Sequence, residues 1–243
     1  MANGWIKYLL IVLFLLAIVI SSAYLWRSSA DNNKKAVAMK ENGTIELPTP
    51  VTSGGISVEK AIAQRRSVRI FTEDPVSASA LSQLLWSAQG ITDKESGKRA
   101  APSAGLTLPM EVYVAVGSDV DALQAGIYHY KPGEHELRQH KSGDLRAALS
   151  EAALGQTCVK QAPLSIVLAA VYERTTDRYS DHGRRYVHME AGHIAQNLYL
   201  QCESLDLSTV VVGAFSEEQV QEILDLPDDQ EPLYIVPVGT AGE

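Results

Sequence analysis

Ala61-Ile62-Ala63-Gln64-Arg65-Arg66-Ser67-Val68-Arg69-Ile70-Phe71 carries an apolar-periodic helix straight into three arginines and a serine. Guanidinium forks meet phosphate oxygens two at a time and a serine hydroxyl adds one more donor. An Arg-Arg-Ser-x-Arg run leaving a helix therefore suits a dianionic tail. The same residues also read as a solvated basic patch at a helix C-terminus, where cations complement the macrodipole. What lies around them decides between the two.

Upstream, Ser57 caps the helix, and Val58, Ala61 and Ile62 supply its apolar face. Downstream, Pro75 stops the chain, and Ser77 caps a second helix through Leu81, Leu84, Leu85 and Ala88 to Gly90. Residues 92–101 are charged and read as a loop. Residues 111–117 alternate as a strand, and 126–139 read as a hairpin turning at Pro132-Gly133. Residues 145–154 form an amphipathic helix, and 164–172, continuously apolar, a buried strand. The longest helical pattern runs over 182–204, with Val187, Ala191, Ile194, Ala195, Leu198 and Cys202 on one side. A short strand at 210–212, a helix at 217–226 and a strand at 233–238 complete an α+β arrangement.

The chain of 243 residues, 46% hydrophobic and 21% charged, is long enough for one domain with a sizeable core. Residues 1–56 hold five Lys/Arg against three Asp/Glu, so the rest carries the −10 that brings the total to −8. An acidic domain argues against a nucleic-acid partner, since phosphate-backbone binding needs a basic face. Cys158 and Cys202 alone suggest neither a disulfide framework nor a zinc site, and lacking an adjacent cation or helix start they read as core residues.

The run Leu9-Leu10-Ile11-Val12-Leu13-Phe14-Leu15-Leu16-Ala17-Ile18-Val19-Ile20 contains no polar residue, and with its flanks it approaches the ~20 residues of a membrane-spanning helix. Trp5, Tyr8, Tyr24 and Trp26 bracket it as interfacial aromatics do. Ser21-Ser22-Ala23 also offers small residues for signal-peptide cleavage. The length of the run and the aromatics at both ends favour an uncleaved single-pass anchor over residues 1–27 and a membrane location, the side of the membrane being open. Residues 28–56 show no hydrophobic period and read as a tether. The remaining domain is then 57–243.

Three stretches follow the arginines in order: Ala101-Pro102-Ser103-Ala104-Gly105, Glu190-Ala191-Gly192-His193-Ile194-Ala195-Gln196-Asn197-Leu198-Tyr199-Leu200, and Thr209-Val210-Val211-Val212-Gly213-Ala214-Phe215. Together they resemble the nitroreductase-like FMN enzymes. Gly126-Ile127-Tyr128-His129-Tyr130, Ala153-Leu154-Gly155-Gln156 and Pro237-Val238-Gly239 bring the resemblance closer to the SagB/ThcOx branch, which includes azoline dehydrogenases. It spans residues 57–239.

The resemblance implies an α+β fold with a mixed sheet flanked by helices, and a homodimer with an FMN in each crevice between subunits. By position, Arg65, Arg66, Ser67 and Arg69 would hold the FMN phosphate and ribityl chain. Ser103 would approach the flavin from the partner subunit, and Val212 and Gly213 would line the isoalloxazine. Two departures stand out. The basic C-terminal segment of many classical nitroreductases is replaced by Gly239-Thr240-Ala241-Gly242-Glu243, which throws phosphate binding onto the arginines or onto a cation such as Arg184. Leu205-Asp206-Leu207-Ser208 stands where the family commonly has glycines; Asp tolerates a left-handed cap, so a modified turn is expected.

Among rival chemistries, His188 and His193 are five apart and do not share a helix face as the HExxH zinc motif requires, so no metal is expected. Residues 172–186, charged and aromatic, read either as an exposed connection braced by ion pairs or as a lid in which Tyr179, Tyr186 or Arg185 meets substrate. The expected activity is two-electron hydride transfer on a small molecule or a modified peptide. Azoline-to-azole oxidation is implied by the nearer branch, and nitroaromatic or quinone reduction by the wider superfamily. A non-catalytic flavin-binding or scaffold subunit of a peptide-maturation complex is the reading from another class.

Overall fold

The computed structural model describes residue 40 and residues 43–117, 120 and 123–242. The chain divides into two units, Met1–Ala36 and Val37–Glu243, and the described residues belong to the second. The expected anchor over 1–27 lies outside the described residues. Among the described residues no helix is long and apolar enough to cross a membrane.

Nine strands and seven α-helices are described. In chain order they are β1 (Thr44–Glu46), α1 (Val58–Gln64), α2 (Ala78–Gln89), β2 (Ile91–Asp93), β3 (Lys98–Arg99), β4 (Met110–Val116), β5 (Gly126–Lys131) and β6 (Glu136–Ser142). Then come α3 (Arg146–Ala152), α4 (Thr157–Gln161), β7 (Leu164–Ala170), α5 (Glu173–Tyr179), α6 (Gly183–Ser204), β8 (Ser208–Thr209), α7 (Glu217–Leu224) and β9 (Glu231–Gly239). Seven strands make one sheet in the order β1-β6-β5-β4-β7-β9-β8. Its strand pairs are antiparallel. Among the described residues the parallel contact is the single bridge of Ser67 with Thr209, which alone makes the sheet mixed.

Strand alternation sorts the core into two layers. Val112, Val114 and Val116 of β4 face one side with Ile166, Leu168 and Val236, against Leu81, Leu84 and Leu85 of α2 and Val187, Ile194 and Leu198 of α6. Tyr113 and Ala115 face the other side with Val167 and Ile235, under Leu149, Cys158, Val159 and Val220 of the short helices. All seven residues of β7 are buried, as a strand covered on both faces requires.

Several sequence expectations are corrected. Part of the stretch read as tether is β1, paired with β6, with Ile45 and Leu47 buried. The chain beyond it is stitched to α2: Ser82 Oγ donates to the Pro48 carbonyl, and the Gln83 amide exchanges hydrogen bonds with both backbone groups of Val51. Residues 92–101, read as a loop, include the β2–β3 hairpin, whose turn is held by Asp93 accepting from the amides of Glu95 and Ser96. On α1 only Ala61 is buried; Val58 and Ile62 are 64% and 56% exposed. The strand placed at 210–212 is instead Ser208–Thr209, and Val212 makes an isolated bridge to Ile235. Asp206 does adopt the left-handed conformation, φ 54°, in the turn after α6.

Candidate functional site

Ser57 Oγ accepts from the Lys60 amide at 3.2 Å and starts α1; Arg65 ends it with a non-helical ψ of 124°. The chain then runs along the end of the sheet. The Val68 amide donates to the Thr209 carbonyl at 3.0 Å, the Thr72 amide to Thr240 at 3.0 Å, and the Gly242 amide to Ile70 at 2.9 Å. The arginine segment is thus fastened to β8 and to the segment after β9.

The three arginines separate by role. Arg66 folds its Nη1 back onto the carbonyls of Ala63, Gln64 and Arg65, at 3.1, 3.3 and 2.8 Å, and caps its own helix. For Arg66 the C-terminal capping alternative is the one observed. Arg65 lies with its guanidinium carbon 4.9 Å from the centre of the Tyr199 ring. Among the described residues no carboxylate lies within ion-pair distance of Arg65, Arg66 or Arg69. The half-buried Arg65 and the exposed Arg69, both without a carboxylate, beside an exposed serine hydroxyl are the donor set a phosphate monoester needs.

The 209–213 segment meets this cluster. Ser67 Oγ is 2.8 Å from the Tyr199 hydroxyl, and the Val211 amide donates to that same hydroxyl at 3.1 Å. Val212 exchanges backbone hydrogen bonds with Ile235 at 2.8 and 2.9 Å, and its side chain is buried in the second core layer. The segment therefore offers a ligand its backbone and Gly213, not the Val212 side chain. Gly213 is exposed, and a Cβ there would meet only Tyr234 at ordinary contact distance, so its outer side is open for close approach.

Ser103 stands apart. Among the described residues no hydrogen bond or ion pair within the chain joins its loop to Arg65–Arg69. Ser103 Oγ accepts from the Leu108 amide at 2.9 Å, and Gly105 turns the loop at φ 58°. The 172–186 segment, read as a connection or lid, comprises α5, a single 3-10 turn at Ser180–His182 and the start of α6, and α5 buttresses this loop. Arg174 donates to the Leu108 carbonyl at 3.0 Å, Arg178 to the Gly105 carbonyl at 2.8 Å, and Thr175 meets Thr107 at 2.8 Å. Arg174 also pairs with Glu111 at 2.7 Å, and His129 reaches the same carboxylate at 2.6 Å. Burial opposes ionisation of Glu111, yet these two partners hold its carboxyl down at about 2.

Arg184 is committed elsewhere. It pairs with Glu231 at 3.1 Å and lies 3.7 Å over the Tyr172 ring, whose hydroxyl is 2.5 Å from His188 Nε2. Cys158 and Cys202 are buried and their thiols are pushed up by burial, as core cysteines are.

Two residues escape a reading of the sequence. Tyr199 lies within a quoted motif but looks like one more rim residue of a helix; only the fold brings its hydroxyl to Ser67 and Val211. Glu190 looks like a surface acid, yet it is 2% exposed. Burial raises its carboxyl to about 7, against the Ser103 hydroxyl and the Gln89 amide, which donates at 3.3 Å.

The model of the nitroreductase family matches residues 62–240. A Methanocaldococcus jannaschii protein classed by name as a nitroreductase is 44% identical over 196 residues, 81% of this chain and 96% of that protein. A crystal structure from Ralstonia eutropha JMP134, classed the same way, superposes with a TM-score of 0.73 at 32% identity, covering 85% of this chain and 94% of the other. The fold is shared with a chain of the Escherichia coli microcin synthetase McbBCD complex solved with truncated pro-MccB17 bound. There the TM-score is 0.65 at 22% identity, over 81% of this chain and 78% of the other.

Proposed function

The chain belongs to the nitroreductase family of oxidoreductases, and from that premise we propose that FMN is its cofactor and that it acts from a membrane tether as a dehydrogenase of SagB/ThcOx type. The observation that carries the cofactor is the meeting of three groups on one tyrosine, Arg65 over the ring of Tyr199 and Ser67 and the Val211 amide at its hydroxyl. Arg65, Ser67 and Arg69 would hold the phosphate and ribityl chain, and Gly213 would let the backbone come close to the ring system. When bound, FMN supplies two-electron hydride chemistry at its N5. The protein's part is to orient the cofactor and present substrate. The azoline direction rests on the motifs at 126–130, 153–156 and 237–239; reduction of nitroaromatics or quinones is the alternative.

Full-length protein is expected to require detergent for extraction, to retain Met1, and to be yellow with one FMN per subunit. Acid release and chromatography identify the ligand, and N-terminal sequencing reports on the anchor. Colourless protein that FMN does not reconstitute would overturn the cofactor. Recovery in the soluble fraction with a new N-terminus near Tyr24 would overturn the tether. Oxidation of azoline peptides, measured beside NAD(P)H-driven reduction of nitroaromatics and quinones, decides the direction.

A homodimer belongs to the same proposal, since among the described residues no hydrogen bond joins the Ser103 loop to the proposed phosphate site of its own chain. Gly192 sits exposed in the middle of the 22-residue α6, with open space where a Cβ would be. Glycine there costs ~1 kcal/mol relative to alanine, and no contact among the described residues requires it. Met189, 51% exposed, lies one turn away, and Val58 and Ile62 are exposed on α1. A second copy approaching closely over Gly192 accounts for all of these. Gly192→Leu is expected to weaken dimerisation about tenfold or more, since overpacking a close contact costs ~1–3 kcal/mol. Sedimentation equilibrium reads the change; a dimer as tight as wild type would place the interface elsewhere.

A further inference from the structure

We propose that Tyr199 is a positioning residue that orients Ser67 and Arg65 toward a phosphate monoester, so that the site separates FMN from riboflavin through a side chain outside the phosphate's own contacts. The proposal rests on the FMN reading above.

The Tyr199 oxygen accepts from the Val211 amide at 3.1 Å and lies 2.8 Å from Ser67 Oγ. The backbone N–H can only donate, so one acceptor position of the phenol is filled. A phenol is the more acidic of two hydroxyls and the better donor, so in the Tyr199–Ser67 pair the tyrosine gives its proton and the serine oxygen accepts it. Ser67 then keeps its own proton free. That side chain is exposed, on the segment where Arg65 and Arg69 leave positive charge without a carboxylate. The reverse arrangement would direct two donors at the phenol oxygen, leave the phenolic proton with no acceptor among the described residues, and spend the serine proton inside the protein.

The ring acts as well as the hydroxyl. The Arg65 guanidinium lies over its face at 4.9 Å, a cation–π contact that limits the positions the fork samples. Tyr199 is carried by α6 between Leu198, fully buried, and Cys202, 1% exposed, so its backbone is held by the core. One side chain therefore ties the longest helix, the exit of α1 and the 209–213 segment into a preformed anion cradle.

The experiment titrates full-length apoprotein with FMN and with riboflavin, following quenching of flavin fluorescence. Tyr199→Phe keeps the ring beneath Arg65 and deletes only the hydroxyl. It is expected to raise the FMN dissociation constant about 10–100-fold, the loss of one well-aligned charge-assisted hydrogen bond, with less than about a twofold change for riboflavin. In a Ser67→Ala background the same substitution is expected to add less than about twofold, because the group it orients is gone. Tyr199→Leu, which also removes the ring, is expected to weaken FMN binding further. Equal losses for FMN and riboflavin would make Tyr199 a brace of the fold and overturn the proposal, as would unchanged FMN affinity in Tyr199→Phe. A wild-type protein that binds FMN no more tightly than riboflavin would instead overturn the FMN reading itself, and this proposal with it.

Discussion

Arg65→Ala combined with Arg69→Ala is expected to raise the dissociation constant for FMN by about 10²–10⁴-fold in the full-length protein. Each charge-assisted phosphate contact contributes ~1.5–3 kcal/mol, and two independent ones multiply in affinity. Both guanidinium groups are without a carboxylate partner among the described residues, so removing them costs the fold no ion pair. Arg66 supplies the internal contrast. Its guanidinium is already spent on the carbonyls of Ala63, Gln64 and Arg65, so Arg66→Ala is expected to reduce stability by ~0.3–1 kcal/mol with little change in FMN affinity. Fluorescence titration and thermal melts of the same preparations separate the two effects. Unchanged FMN affinity in the double variant would move the phosphate site away from this segment.

Glu190→Gln is expected to stabilise the protein above neutral pH and to do little near pH 5. The carboxyl is buried, with the Gln89 amide and the Ser103 hydroxyl as neighbours and no ion-pair partner among the described residues, and burial raises it from the usual 4.5 to about 7. A raised acid contributes stability that is fully present below its unfolded value and lost as pH rises through its folded one. Between 4.5 and 7 only the unfolded chain ionises, at ~1.4 kcal/mol per pH unit, which accumulates to something on the order of 3 kcal/mol at pH 8. Glutamine keeps an acceptor oxygen for Gln89 and carries no charge at any pH. The melting temperature of the variant should therefore exceed that of wild type by about 4–10 °C at pH 8. A difference of the same size at pH 5 would show that packing, not ionisation, is responsible.

The elements most legible in the sequence are those with both a cap and a period. Ser57 and Ser77 accept from the amides three residues on, and the run over 164–170 is apolar because both its faces are covered. What escaped was set by tertiary partners. Thr44–Glu46 is too short to show a period and is a strand because β6 offers an edge. The helix over 173–179 is polar and has a single buried residue, Thr175, so no apolar stripe announces it. Val58 and Ile62 follow the helical spacing yet face outward, which the sequence cannot distinguish from facing a core. At the candidate site, residue types single out the segment but not what each side chain does within it. Arg66 differs from Arg65 and Arg69 only in where its side chain turns, and Tyr199 gains its role from a contact spanning 132 positions.

The docking of residues 44–51 bears on how the molecule can be cut for study. A fragment begun at the first helix with a recognisable cap would leave β6 with a bare outer edge, the usual template for strand-to-strand aggregation. It would also strip the Pro48 carbonyl from Ser82 and the Val51 backbone from the Gln83 amide, groups placed to serve those partners. Insolubility of such a fragment would say nothing about the intact protein. Expression for crystallisation or labelling belongs upstream of residue 43, and an affinity tag joined there needs a spacer that leaves the edge strand in register.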